Sequence, residues 1–176
     1  MARPNEQVII EGAHLIFRNF TGNEGMYNRA GDRNFSILLD DDVADDLSSK
    51  GWNVKRLKDR EQDEEGDPKN YIQVSVSYKG RPPNIVMITS RGRTNLDEEA
   101  CGLLDFVDIA NVDVILNPYH WNVSGNSGIK AYVASIYVTV IEDYLALKYA
   151  DVPVIGAPPR EYDVIDAVPD RLEIEA

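Results

Sequence analysis

Residues 71–93 read YIQVSVSYKGRPPNIVMITSRGR, and this run leaves few folds open. Ile72, Val74 and Val76 alternate with Tyr71, Gln73, Ser75 and Ser77, the period of two that gives a strand one apolar and one polar face. Lys79, Gly80, Arg81, Pro82 and Pro83 follow. Glycine tolerates positive φ, while proline excludes helix and brings no ladder donor, so these five residues break the strand. A second strand is expected over residues 84–89, closed by Ser90, Arg91, Gly92 and Arg93. The run therefore reads as a β-hairpin with cations at both ends. Its inner face is apolar, and its outer face carries one ring among small polar side chains.

Strand signals recur on both sides of it. Residues 7–20, QVIIEGAHLIFRNF, are rich in β-branched and aromatic side chains and form a first strand with a kink or bulge at Gly12. Residues 21–33, TGNEGMYNRAGDR, hold three glycines and are expected to be a mobile loop. Residues 34–39 are a second strand, after which Asp40, Asp41 and Asp42 open a short helix. Carboxylates suit the positive end of a helix dipole, Asp40 or Asp41 can cap free amides there, and Gly51 can end the helix. Residues 52–60 read as a short strand and residues 61–68 as an acidic polar loop.

Beyond the central run, Leu96, Ala100, Leu103 and Leu104 share one face of an expected helix over residues 95–106. Residues 112–123 form a strand interrupted at Pro118, which demands an edge position or a bulge. A turn over residues 124–128 leads into the longest strand signal, residues 129–141. The chain is mainly β, and one short helix between the third principal strand and a long closing hairpin is the order of a five-stranded OB-fold barrel. The helix from Asp40 and the strand from Trp52 are then an insertion. A β-sandwich of similar strand count fits the same order. Residues 1–151 are read as this domain, and residues 152–176 as an acidic, proline-containing tail.

Composition removes several function classes. Cys101 is the single cysteine, so no internal disulfide can form, and His14 and His120 have no companion at metal-ligand spacing. No metal or cofactor is expected. No apolar run approaches the roughly 20 residues of a membrane helix, and residues 1–10 lack a signal-peptide layout, so the expectation is a cytoplasmic protein. Phosphate-loop, GxSxG, HExxH and CxxC motifs are absent, and the chain is read as a non-enzyme.

The net charge of -12 speaks against a polyanionic ligand, but the charge is unevenly spread. Residues 1–95 hold 14 basic against 15 acidic side chains, and residues 96–176 hold 4 against 15. A nearly neutral first half can present a positive groove. Its cations alternate with rings, which is what a single nucleic-acid strand requires: charge for phosphates, flat faces for bases. Arg18, Arg29, Arg33, Lys55, Lys58, Lys79, Arg81, Arg91 and Arg93 are the candidate phosphate contacts, and Phe20, Tyr27, Tyr71, Tyr119 and Trp121 the candidate stacking rings. Trp52 and Tyr137 are read as packing residues. The alternative from the same charges is an acidic interaction module, or a mimic of nucleic acid, without DNA affinity.

Three runs carry a resemblance: RNFTGNEGMYNRAGDRNFSILLDDDVADDLSSKGWNVKRLK, YIQVSVSYKGRPPNIVMITSRGRTNLDEE and NPYHWNVSGNSGIKAYVASIYVTVIEDYLALKYADV. Together, over residues 7–152, they resemble the single-stranded DNA-binding proteins of tailed bacteriophages. The resemblance implies an OB-fold that coats single-stranded DNA during phage replication or recombination in the host cytoplasm, without turnover. It also implies an acidic tail for replication or recombination partners, and is compatible with a homo-oligomer. One departure is visible: the chain ends Leu172, Glu173, Ile174, Glu175, Ala176 rather than in an aromatic or strongly apolar residue after the acids.

Overall fold

The computed structural model describes residues 6–57 and 69–155. The expected strand at residues 52–60 is thus seen only in part, and Lys58, the acidic loop and most of the tail lie outside the described residues. By its contacts the chain divides into Met1–Ile141 and Glu142–Ala176.

The first unit is one mixed sheet. β1 (Val8–Ile10) and β2 (His14–Asn19) are halves of a single strand bent at Gly12, which has φ 64°. That left-handed conformation suits glycine, and the bend lets β1 pair with the far side of the sheet while β2 pairs with β3 (Arg33–Leu39). α1 (Asp41–Ser49) and β4 (Val54–Arg56) form the insertion. α1 has Asp41 and Asp42 in its first turn, buries Ala44 and Leu47, and ends at Gly51 with φ 95°. Its N-cap residue Asp40 makes no side-chain cap bond, so these carboxylates act on the helix through charge.

β5 (Asn70–Val76) is expected above to turn back on β6 (Asn84–Thr89), and it does not. One edge of β5 is filled by β3; the other is shared in succession by β4 and β9 (Asn126–Val140), leaving no edge for β6. β6 instead takes the next stretch of the same parallel edge of β9, Ser135 to Thr139. The true hairpin is β6 with β7 (Gly92–Leu96), closed by Ser90 and Arg91. Residues 95–106 are correspondingly not one helix. Asn95 and Leu96 complete β7, and a short 3₁₀ turn, Cys101–Asp105, follows.

β8 (Ile109–Val123) and β9 make the long closing hairpin. Its turn is tighter than expected: Ser124 and Gly125 carry φ 53° and 81°, the two positive values of a two-residue hairpin loop, and residues 126–128 already belong to β9. β8 passes Pro118 unbroken: β1 stops pairing at Leu116, and beyond it no strand among the described residues pairs with that edge. The sheet runs β1, β8, β9, β5, β3, β2 and is not a closed barrel, although the bent first strand serves both of its ends.

Phe20, Phe35, Ile37, Ile72, Val74, Leu116 and Ile136 fill the core, with Trp52 at its margin and the thiol of Cys101 among them. In the second unit Asp143 caps α2 (Tyr144–Lys148), its carboxylate accepting from the Leu145 amide at 2.7 Å.

Candidate nucleic-acid interface

On the polar side of the sheet, β3 and β5 present Asn34, Gln73 and Ser75, while β9 presents Lys130 and Tyr132 beside Ser75. With the loop over residues 27–33 and the residues after β5, they line an open groove of about 650 Å³. Tyr27, Arg29, Arg33 and Lys79, four of the residues singled out from sequence, meet here. Lys130, Tyr132 and Tyr78 join them and were not singled out. Lys130 and Tyr132 lie two apart in a strand, so they share a face, and that period was the signal available.

The loop is built rather than slack. Gly31 N–H donates to the Gly22 carbonyl at 2.8 Å, and a Cβ on Gly22 would come within 3.1 Å of the Gly31 backbone, so two glycines pinch its neck. The Asn28 amide fills the interior by donating to the carbonyls of Asn23, Arg29 and Asp32. The base of the loop is fixed by Asp105, whose carboxylate accepts from the Phe20 and Thr21 amides and the Thr21 hydroxyl. Tyr27 therefore stands out 95% exposed on a tied frame. Arg29 is equally open and meets Asp32 at 3.6 Å.

Arg33 differs from these. Its side chain is 18% exposed, its Nη1 pairs with Glu98 at 3.2 Å, its guanidinium lies 6.0 Å from the Tyr78 ring centre, and its Nε is buried without a partner. Burial, then the hydrogen bond and charge of nearby Cys101, push the Tyr78 phenol well above its usual range. Its hydroxyl stays protonated and donates to the Leu96 carbonyl.

The remaining candidates are dispersed. Phe20 is wholly buried and stacks on Phe35 with ring centres 5.0 Å apart; it is a core residue and cannot meet a base. Arg18 turns away from the groove, where Nη1 donates to the carbonyls of Leu104 and Val107 at 2.8 Å, so it clasps the 3₁₀ turn instead of meeting phosphate. Lys55 and Tyr71 face each other across β4 and β5 on the groove side, and Lys55 donates to Gln73. Tyr119 is exposed and meets the edge of Tyr132 at 5.8 Å. Trp121 lies across Gly128, where a Cβ would approach the indole to 2.8 Å, in a separate hollow beside Lys50 and His120. Arg81 is in the β5–β6 connection, and Arg91 and Arg93 are at the β6–β7 turn; none of the three lines the groove.

This arrangement of cations and open rings on one sheet face can follow a phosphate backbone and stack bases. No helix among the described residues is long and apolar enough to cross a membrane. No curated protein matches the chain. Two solved structures share its fold, both of a single-stranded DNA-binding protein from bacteriophage Enc34. The C-terminally truncated form matches with a TM-score of 0.51 at 10% identity, covering 80% of this chain and 89% of that one. The form in complex with ssDNA gives a TM-score of 0.50 at 10% identity over the same shares. The model of the phage ssDNA-binding domain family matches residues 1–171, and the chain accordingly belongs to that family of single-stranded DNA-binding proteins.

Proposed function

We propose that the groove between the residue 22–31 loop and the β5–β9 junction is where this protein holds single-stranded DNA, without regard to sequence. The observation that carries this reading is the convergence of Arg29, Arg33, Lys79 and Lys130 with Tyr27 and Tyr132 around one open groove of about 650 Å³. Lys130 sits over the Tyr132 ring at 5.1 Å, which pairs a phosphate ligand with a base platform. Its neutral floor of Asn34, Gln73 and Ser75 offers no repulsion to a polyanion. The role that follows is coating single-stranded DNA during phage replication or recombination, with no chemical turnover.

The test is fluorescence anisotropy of labelled oligo-dT of about 30 nucleotides, several OB-fold site sizes, against a duplex of equal length. Salt-sensitive binding to the single strand over the duplex is expected. Lys130→Ala and Arg29→Ala should each weaken binding to every sequence alike and flatten the salt slope by about 0.7 per lost phosphate contact. Equal affinity of these variants and the parent would move the site elsewhere. Failure of the parent to bind at low salt would favour the acidic interaction module suggested by the second half of the chain.

A further inference from the structure

One exposed ring stands in a conformation that its own backbone resists. Phe17 has φ 51°, one of two non-glycine residues at positive φ among those described, and its side chain is 64% exposed. For a bulky side chain this region is a true outlier, and such strain persists where the surroundings over-determine it. The cause is visible. The β2–β3 register slips between Ile16 and Asn19, a bulge, and within it Arg18 is drawn inward by the Leu104 and Val107 carbonyls. A bulge re-aims the side chains it contains. With Arg18 committed inward, Phe17 is turned out, where its ring meets Tyr71 edge to face at 6.3 Å and 77°.

Tyr71 shares its face of β5 with Gln73 and Ser75, which floor the groove, and stands opposite Lys55 on β4. Ser75 lies four positions along the strand from Tyr71, ~13 Å away. We infer that Phe17, propped by Tyr71 and with Lys55 beside it for a phosphate, is a second stacking station for a DNA base, continuing the groove's track across β5. This rests on the single-stranded DNA reading of the groove.

Strain makes the inference testable, since removing the ring at a left-handed position need not harm the fold. Phe17→Gly and Phe17→Asn, both tolerant of positive φ, should melt no lower than the parent yet bind oligo-dT about 5- to 150-fold more weakly, the range for one stacked base. Phe17→Trp should retain affinity, and its added emission should be quenched by saturating oligo-dT. A folded Phe17→Gly chain that binds as tightly as the parent overturns the inference. If neither ring-free variant folds, the tryptophan variant decides, and emission unmoved by bound DNA overturns it. The parent, titrated alongside, separates the two readings: if it does not bind oligo-dT the groove assignment fails, whereas parent binding with unaffected variants removes Phe17 alone.

Discussion

A phosphate entering the groove meets an Arg33 already engaged by Glu98 at 3.2 Å. Glu98 is the more exposed partner, so phosphate must compete with it for the guanidinium. Glu98→Gln is expected to tighten oligo-dT binding by a few-fold at low salt, because phosphate then meets no carboxylate competing for the guanidinium. Weaker binding in that variant would show that Glu98 aims Arg33 instead of occupying it. Phe20 gives the opposite kind of expectation. Phe20→Ala should lower unfolding free energy by about 3–5 kcal/mol in a urea titration while leaving the affinity of the folded fraction unchanged, since the ring lies wholly inside. Tyr78 ties stability to pH at the alkaline end. Its folded pKa is raised by burial, so its contribution is complete below the unfolded value of about 10 and is lost as pH rises beyond it. Thermal melts from neutrality upward should show that decline, and Tyr78→Phe should remove this part of it.

Among the elements, the loop over residues 22–31 depends most on its glycines. Gly22 has φ 75° and no room for a Cβ against Gly31. Gly22→Ala should open the neck, cost about 1–3 kcal/mol of stability, and weaken DNA binding by misplacing Tyr27 and Arg29; unchanged affinity in a titration of oligo-dT would detach the loop from the site. The glycines are plain in the sequence, but the bonds that tie the loop are not: no spacing shows Asn28 filling it or Asp105 anchoring its base. The same division runs through the strands. Alternation marks β3, β5 and β9 because each has one buried face, a property of the strand itself. The partner of β5 was not legible: whether it turns onto β6 depends on β4 and β9 having taken its edge, and β9 begins 50 residues after β5 ends. Phe17 escaped notice for a related reason: reading Arg18 and Phe20 as outward puts Phe17 inward by the period of two, and the structure reverses that assignment, with Phe20 buried and Phe17 exposed.

For the whole molecule the question is charge. A protein of net charge -12 that binds a polyanion must limit the acids along the track, where Asp32 and Glu98 already pair with Arg29 and Arg33, and residues 152–176 carry six acidic against two basic side chains. A chain ending at Asp151 is therefore expected to bind oligo-dT more tightly than the full chain, with the difference shrinking as salt rises. Equal affinities would leave the tail free for partner proteins only.

Among the described strands, β9 pairs with β8 along one edge, then with β5 and β6 in turn along the other. During synthesis, residues 1–125 would emerge before any of β9 exists. Parallel pairing with an element so distant in sequence carries a high loop-closure cost and forms late. The nascent chain should therefore expose the unfilled edges of β5 and β6 until residue 140 has left the ribosome. A message truncated within β9 would yield a product for degradation rather than a weak DNA binder.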